Sequence, residues 1–328
     1  MRSIRISTPA RLHFGLIDMN GERGRVDGGV GLALESPHTV IDAEKSADLT
    51  VAYPDEPEIE ERVITGLEAV RQKYDLGAAR VRIVERPLPH VGLGSATQTL
   101  LGAAHALCRL YGVERSSREL AAVVGRGGTS GIGVAAIESG GFIVDGGHQF
   151  RRGTGGKQEY TPSGSTVGVS PPPILVRYDF PNWDVLVVVP LGRGESGLRE
   201  VTLFKVVCPI PLVEVEGMCH ILMFQMMPAV LEHDLDVFGV AMEGFQKIGF
   251  KVFEFRAQTA LLHECLSFLE ENGGTATGMS SWGPALFAFG EDLSVLHKKS
   301  LAWLKGHGGG DAILTKADNA GMKILDEA

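Results

Sequence analysis

The segment Pro89–Gln98, Pro-His-Val-Gly-Leu-Gly-Ser-Ala-Thr-Gln, sets a glycine-rich turn directly against the start of a helix. Leu100, Leu101, Ala104, Leu107, Cys108 and Tyr111 keep a helical period after it. A helix beginning near Ser95 aims free backbone N–H groups and the positive end of its dipole back into the turn, which suits phosphate. Gly92 and Gly94 carry no Cβ, so the backbone there turns tightly and can approach an anion. A phosphorylated ligand is the first expectation. A glycine turn alone serves chain reversal as readily as binding, so more is needed.

The chain has 328 residues, enough for two domains with cores of their own. A net charge of −9 without a dense Lys/Arg stripe argues against a nucleic-acid partner. Cys108, Cys208, Cys219 and Cys265 are scattered, with no Cys-x-x-Cys pair, and read as reduced buried thiols. No run approaches the roughly 20 apolar residues of a membrane span, and the N-terminus alternates like a strand rather than a signal peptide. A soluble, cytoplasmic protein is expected.

Ile4 and Ile6 alternate with polar neighbours, as do Val81 and Ile83, predicting half-buried strands. Val63, Leu67, Val70 and Tyr74 mark one helical face. Ser116–Val124 reads as a further helix, with Ser116 or Ser117 as N-cap and Glu119 in its first turn. Gly125–Gly133 reads as a second glycine-dense loop, followed by a strand at Gly141–Asp145. Gly153–Pro173 reads as a long loop or linker. A strand resumes at Trp183–Pro190, a mainly helical region runs from Pro211 to Asn272, and strands at Ala285–Phe289 and Ala312–Thr315 flank a last helix. The parse is two α+β domains, residues 1–172 and 173–328.

Three glycine-bearing segments occur in a characteristic order: Pro9–Ala33, Pro89–Gln98 and Gly278–Leu286. This order resembles the GHMP superfamily of galactokinase-, homoserine kinase- and mevalonate kinase-like proteins. The resemblance spans most of the chain. It implies an N-terminal β-α domain whose Gly-rich loop wraps a phosphate chain, and a C-terminal ferredoxin-like α+β domain. Family kinases commonly continue Ser-Gly-x-Asp, the aspartate orienting or deprotonating the attacking hydroxyl. Here the run is Thr129-Ser130-Gly131-Ile132-Gly133, and glycine can neither accept a proton nor bind magnesium. Phosphoryl transfer depends on placing its nucleophile and neutralising charge, so the kinase reading then needs another carboxylate, such as Asp145.

The wording of Pro9–Asn20, Gly127–Gly147 and Gly278–Gly283 is similar to one branch, the β-ribofuranosylaminobenzene 5′-phosphate synthases of methanopterin biosynthesis. That resemblance implies decarboxylating transfer from phosphoribosyl pyrophosphate to 4-aminobenzoate or 4-hydroxybenzoate. Carbon dioxide and pyrophosphate leave, and no redox cofactor takes part. The backbone around Gly92, Leu93, Gly94, Ser95, Ala96 and Thr97 is the expected pyrophosphate cradle, with Ser130, Gly131, Ser280, Ser281 and Gly283 completing it. Magnesium is expected to share that load, by analogy with other polyphosphate sites.

Arg23 and Arg25 are candidates for the 5′-phosphate or the benzoate carboxylate. His13, Asp18, Asp27 and Asp145 are the titratable catalytic candidates, and Trp282 or Phe14 offers an apolar slot for the ring. Each has a plainer role open to it: Asp18, Asp27 and Asp145 as turn residues, Arg23 and Arg25 as solvated charges, His13 as a structural histidine, Trp282 as packing. His263-Glu264-Cys265 and Cys219-His220 lie in apolar helical surroundings that favour packing over metal binding. Met218, Met223, Met226 and Met227 read as a core stripe, with a homodimer surface left open. An ATP-dependent small-molecule kinase is the alternative activity. A catalytically silent nucleotide-binding regulator is the third reading.

Overall fold

The computed structural model describes residues 3–53, 56–152, 156–162, 166, 168–191 and 198–327. A long hairpin organises its first sheet. β1 (Ser3–Asp18) and β2 (Arg25–Lys45) pair antiparallel from Ser3↔Glu44 to Asp18↔Asp27. Alternation at Ile4 and Ile6 marks only the start of β1. Past Thr8 the strand is covered on both faces, which erases the period-two pattern. A register shift between His13 and Gly15 bulges the strand where its side chains matter most.

β3 (Thr50–Ala52) and β4 (Ala79–Glu85) extend the sheet beyond β2, and β5 (Phe142–Asp145) and β6 (His148–Gln149) also pair with β2. β7 (Ile174–Tyr178) pairs with β5, and the last strand, β12 (Lys323–Glu327), pairs with β1. A cut at residue 172 therefore separates two strands from the sheet they complete. Of the long linker reading, residues 153–155, 163–165 and 167 lie outside the described residues.

Four helices cover this sheet: α1 (Pro57–Tyr74), α2 (Ser95–Leu110), α3 (Ser117–Val123) and α4 (Ile132–Ser139). Of the two expected N-caps, Ser116 opens α3, and it does so in a capping box, accepting from the Glu119 N–H while the Glu119 carboxylate accepts from the Ser116 N–H. α4 starts inside the stretch read as loop. Its Val134, Ala135, Ala136 and Ile137 are all buried, so it has no polar face to give a helical period.

The second sheet comprises β8 (Asp184–Pro190), β9 (Thr275–Met279), β10 (Leu286–Gly290) and β11 (Gly310–Thr315), in the antiparallel order β11-β8-β10-β9. Helices α5 (Leu198–Val207), α6 (Leu212–Ile221), α7 (Met227–Glu232), α8 (Leu235–Gln246), α9 (Phe250–Arg256) and α10 (Ala260–Glu271) lie between β8 and β9. α11 (Ser294–Gly306) joins β10 to β11, completing the ferredoxin-like β-α-β-β-α-β order. Phe14 is wholly buried among Phe142, Phe238, Phe287 and Phe289, where side chains of both sheets meet. It is a core residue and not a slot for a ring.

Met218 and Met226 join that core, whereas Met223 is exposed. All four cysteines are free, Cys108 and Cys265 buried and Cys219 exposed, so the buried-thiol expectation fails for Cys219. Among the described residues no single helix is long and apolar enough to cross a membrane.

Candidate active site

The Gly92–Ser95 turn has the geometry its glycines predict. Gly92 and Gly94 sit at φ +89° and +80°. A Cβ on Gly92 would lie 2.3 Å from the Ser280 carbonyl oxygen, so only glycine fits. Gly94 is the N-cap of α2 and no side chain caps that terminus, which leaves it open to an anion. Gly92, Leu93, Gly94, Ser95, Ala96, Thr97, Ser130, Ser281 and Gly283 line one cavity of about 220 Å³. Gly131 and Ser280 do not line it. Ser280 is fully buried, its hydroxyl donating to the Gly92 carbonyl and accepting from the His13 N–H. It ties the three glycine-bearing segments together rather than facing a ligand.

Two cations in this cavity escaped the sequence reading. Arg11 donates to the Gly92 carbonyl, and Arg126 donates twice to Thr97 Oγ1, at 2.9 and 3.1 Å. Burial, and in second place the charge of Arg126, pulls the Arg11 guanidinium down to about 10. Burial, then Arg62, pulls Arg126 down to about 10 as well. Neither faces a carboxylate among the described ion pairs. Arg11 stands two positions before His13 on β1, and that strand spacing was the one signal available for it. Arg126 lies in the glycine-dense loop and carries no such signal.

Behind Ser130 sits a polar chain. The Ser130 hydroxyl donates to Asp145 Oδ2 at 3.3 Å and lies 3.1 Å from His13 Nε2. A Cβ on Gly29 would fall within 2.8 Å of Asp145 Oδ2 and of Ser130 Oγ, and 3.1 Å from His13 Nε2, so glycine is what lets them converge. Asp145 also accepts from the Gly131 and Gly147 N–H groups. Desolvation outweighs those donors and raises its carboxyl to about 6. Burial, then Arg11 and Lys251, holds His13 well below the usual histidine value, so its ring is neutral. His13 Nδ1 is buried without a hydrogen-bond partner among the described residues.

The other predicted residues take different places. Asp27, in a left-handed conformation at φ +70°, is fully buried. Its Oδ2 lies 2.6 Å from His148 Nδ1 and its Oδ1 accepts from Lys157 Nζ at 3.0 Å. Both oxygens are engaged, so its carboxylate anchors the 157–161 segment to β2 and is not free to act as a base. Asp18 is half-buried, its Oδ1 accepting from the Asn20 and Gly21 N–H groups across a turn. Arg25 donates from Nε and Nη2 to the Gly146 and Gly147 carbonyls, and Arg23 is exposed. Trp282 both lines the cavity and packs edge-on against Phe250. Lys251 pairs with Glu254 at 2.8 Å and donates to the Ser281 carbonyl, clamping the third glycine segment from below.

Gly133 stands where the resemblance implies an aspartate, and its immediate surroundings can be read. The atoms nearest a Cβ there are Thr97 Cγ2 and Cβ and Gln98 Nε2, at 3.3 to 3.7 Å, and no carboxylate is among them. Among the described residues no group of three His, Cys, Asp or Glu side chains is placed to hold a metal. Among the described residues the cavity lining offers arginine, histidine, hydroxyl and backbone groups but no carboxylate, and this set does not fit a protein-held magnesium ion.

Comparison with known proteins matches residues 61–141 to the GHMP kinases N terminal domain and residues 226–314 to the GHMP kinases C terminal domain. The chain is 42% identical over 329 residues to the β-ribofuranosylphenol 5′-phosphate synthase of Methanothermobacter thermautotrophicus, covering 98% of each. It is 39% identical over 330 residues to that of Methanocaldococcus jannaschii, covering 97% of this chain and 99% of the relative. Among solved structures, L. major mevalonate kinase in complex with R-mevalonate superposes with a TM-score of 0.70 at 15% identity, covering 96% of each chain. At that identity the likeness concerns the fold alone.

Proposed function

Because the chain belongs to the GHMP superfamily and, within it, to the family of the β-ribofuranosylphenol 5′-phosphate synthases, we propose that it transfers phosphoribose to a para-substituted benzoate with loss of carbon dioxide. The donor is phosphoribosyl pyrophosphate and the product belongs to the route to methanopterin. The relatives' name specifies a phenol, which favours 4-hydroxybenzoate as acceptor. One observation carries the reading. A phosphate cradle flanked by Arg11 and Arg126 has kept its donors, while glycine stands where a kinase of this fold keeps an acid.

In the proposed reaction the C1–oxygen bond of the donor breaks and its electron pair leaves with pyrophosphate. The free N–H groups at the start of α2, the Ser95 and Thr97 hydroxyls, Arg11 and Arg126 receive that charge. The ring carbon bearing the carboxylate attacks C1. Its bond to the carboxylate then breaks, returning the pair to the ring and releasing carbon dioxide, so electrons balance without an oxidant. Removing the phenolic proton makes the ring carbon more nucleophilic. Ser130 faces the cavity and passes that proton to Asp145, whose raised pKa suits a base working near neutrality. After decarboxylation the proton returns to the phenol.

His13 keeps Ser130 oriented. Arg25 and Asp18 lie outside the cavity lining, held by the Gly146 and Gly147 carbonyls and by a turn, and are given no step. Trp282 offers the ring an apolar wall. No step is assigned to magnesium, because the lining gives it no carboxylate seat.

The test is incubation with phosphoribosyl pyrophosphate and carboxyl-labelled 4-hydroxybenzoate or 4-aminobenzoate. Labelled carbon dioxide from the hydroxy acid without ATP is expected. Release from the amino acid alone moves the acceptor assignment, and no release from either sinks the reading.

A further inference from the structure

Next to the phosphate cradle, and sharing His90, Ser95 and Ala96 with it, lies a second cavity of about 390 Å³. Two helix N-termini meet there. α2 begins at Ser95, and α1 begins at Pro57 with Glu56 as N-cap; neither has a side-chain cap hydrogen bond. Arg86 and Arg62 line the same cavity, with the carboxylates of Glu56 and Glu58 on its α1 side. The Arg86 side chain is only 3% exposed, and its one hydrogen bond is from Nη2 to Ser95 Oγ at 3.3 Å. Its Nε and Nη1 are buried and have no hydrogen-bond partner among the described residues. The carboxylate paired with it among the described residues, Glu56 Oε2, stops 3.6 Å from Nη1, beyond hydrogen-bonding reach, and its side chain is 34% exposed.

A buried guanidinium with two idle donors is costly unless something supplies acceptors. Phosphate is the planar fork's natural complement. The arginines also form a series across both cavities. Arg62 acts electrostatically on both Arg86 and Arg126, and Arg126 acts on Arg11. Such a series, in a chain of net charge −9, matches a ligand with anionic groups at two separated points better than one compact anion.

We propose that Arg86 and Arg62, with the N-termini of α1 and α2, form a second anion subsite that takes the 5′-phosphate of the ribosyl donor. Its pyrophosphate then lies against Arg11 and Arg126, and the ribose spans the Ser95–Ala96 ridge common to both cavities. The incoming phosphate takes the place of the Glu56 carboxylate as partner of Arg86. This assignment rests on the donor proposed above, and it relieves Arg23 and Arg25 of the 5′-phosphate.

The test titrates ribose 5-phosphate and pyrophosphate separately into the wild type, R86M and E56Q by calorimetry. Loss of a charge-assisted contact predicts at least about tenfold weaker ribose 5-phosphate binding in R86M, with pyrophosphate changed less than about twofold. Removing the competing carboxylate in E56Q should tighten ribose 5-phosphate about threefold or more. Equal ribose 5-phosphate affinity in R86M and wild type, or parallel weakening of both anions, overturns the subsite. If R86M does not fold, E56Q decides: unchanged ribose 5-phosphate affinity overturns it. Failure of the donor reading looks different. The wild type then releases no labelled carbon dioxide, while ribose 5-phosphate still depends on Arg86.

Discussion

Two groups of buried charge lie close together in this molecule and are built on opposite plans. At Asp27 every charge is answered: His148 and Lys157 occupy both carboxylate oxygens, and Lys157 also donates to Thr129 and the Thr161 carbonyl. At the Gly92–Ser95 loop Arg11 and Arg126 find, among the described residues, only a carbonyl and a hydroxyl, and burial pulls both guanidinium groups down. A closed set of pairs holds the fold, because each member compensates the desolvation of the others. An open set of like charges costs stability and persists because a ligand completes it. The contrast separates an acid that anchors a loop, Asp27, from cations that await an anion.

The contrast can be broken from either side. K157M leaves Asp27 buried with one partner gone, and should cost about 3–5 kcal/mol of unfolding free energy, measured by denaturant titration. R126M should behave the other way, changing stability by less than about 1 kcal/mol while lowering kcat/KM for the donor about a hundredfold. Similar stability losses in both variants would erase the distinction. G133D plants a carboxylate among the cradle's donors and should weaken pyrophosphate binding about tenfold by repulsion; tighter binding in the presence of magnesium would favour the kinase-like arrangement instead.

The subtlest effect is one of shape. Asp145 is raised to about 6, so it is protonated and unable to accept a proton below that pH and ionised above it. Activity should therefore rise with pH through an apparent value near 6, and D145N should lose that limb with most of its kcat. An unaltered limb in D145N would move the base elsewhere.

What the sequence revealed was what is local. The Gly92–Ser95 turn, the helix behind it and the Ser116–Glu119 cap each depend on residues adjacent in the chain. The far half of β1 and all of α4 were hidden because both are buried all round, so no polar face marked their period. The glycines of β2 carry no strand signal, yet Gly29 and Gly31 are strand residues whose missing side chains make room for Asp145, Ser130 and Ile132. The cation series was invisible for a different reason. Arg11, Arg62, Arg86 and Arg126 come from four separate stretches, and only the fold brings them round the start of α2. Asp27 and Asp145 share a residue type and a glycine neighbour, and nothing but their partners tells the anchor from the proposed base.

The most direct test follows phosphorus NMR of one sample holding enzyme, ATP, phosphoribosyl pyrophosphate and 4-hydroxybenzoate. Free pyrophosphate should grow as the ribosyl donor disappears, with the ATP resonances unchanged. Growth of ADP while phosphoribosyl pyrophosphate stays intact would contradict the account.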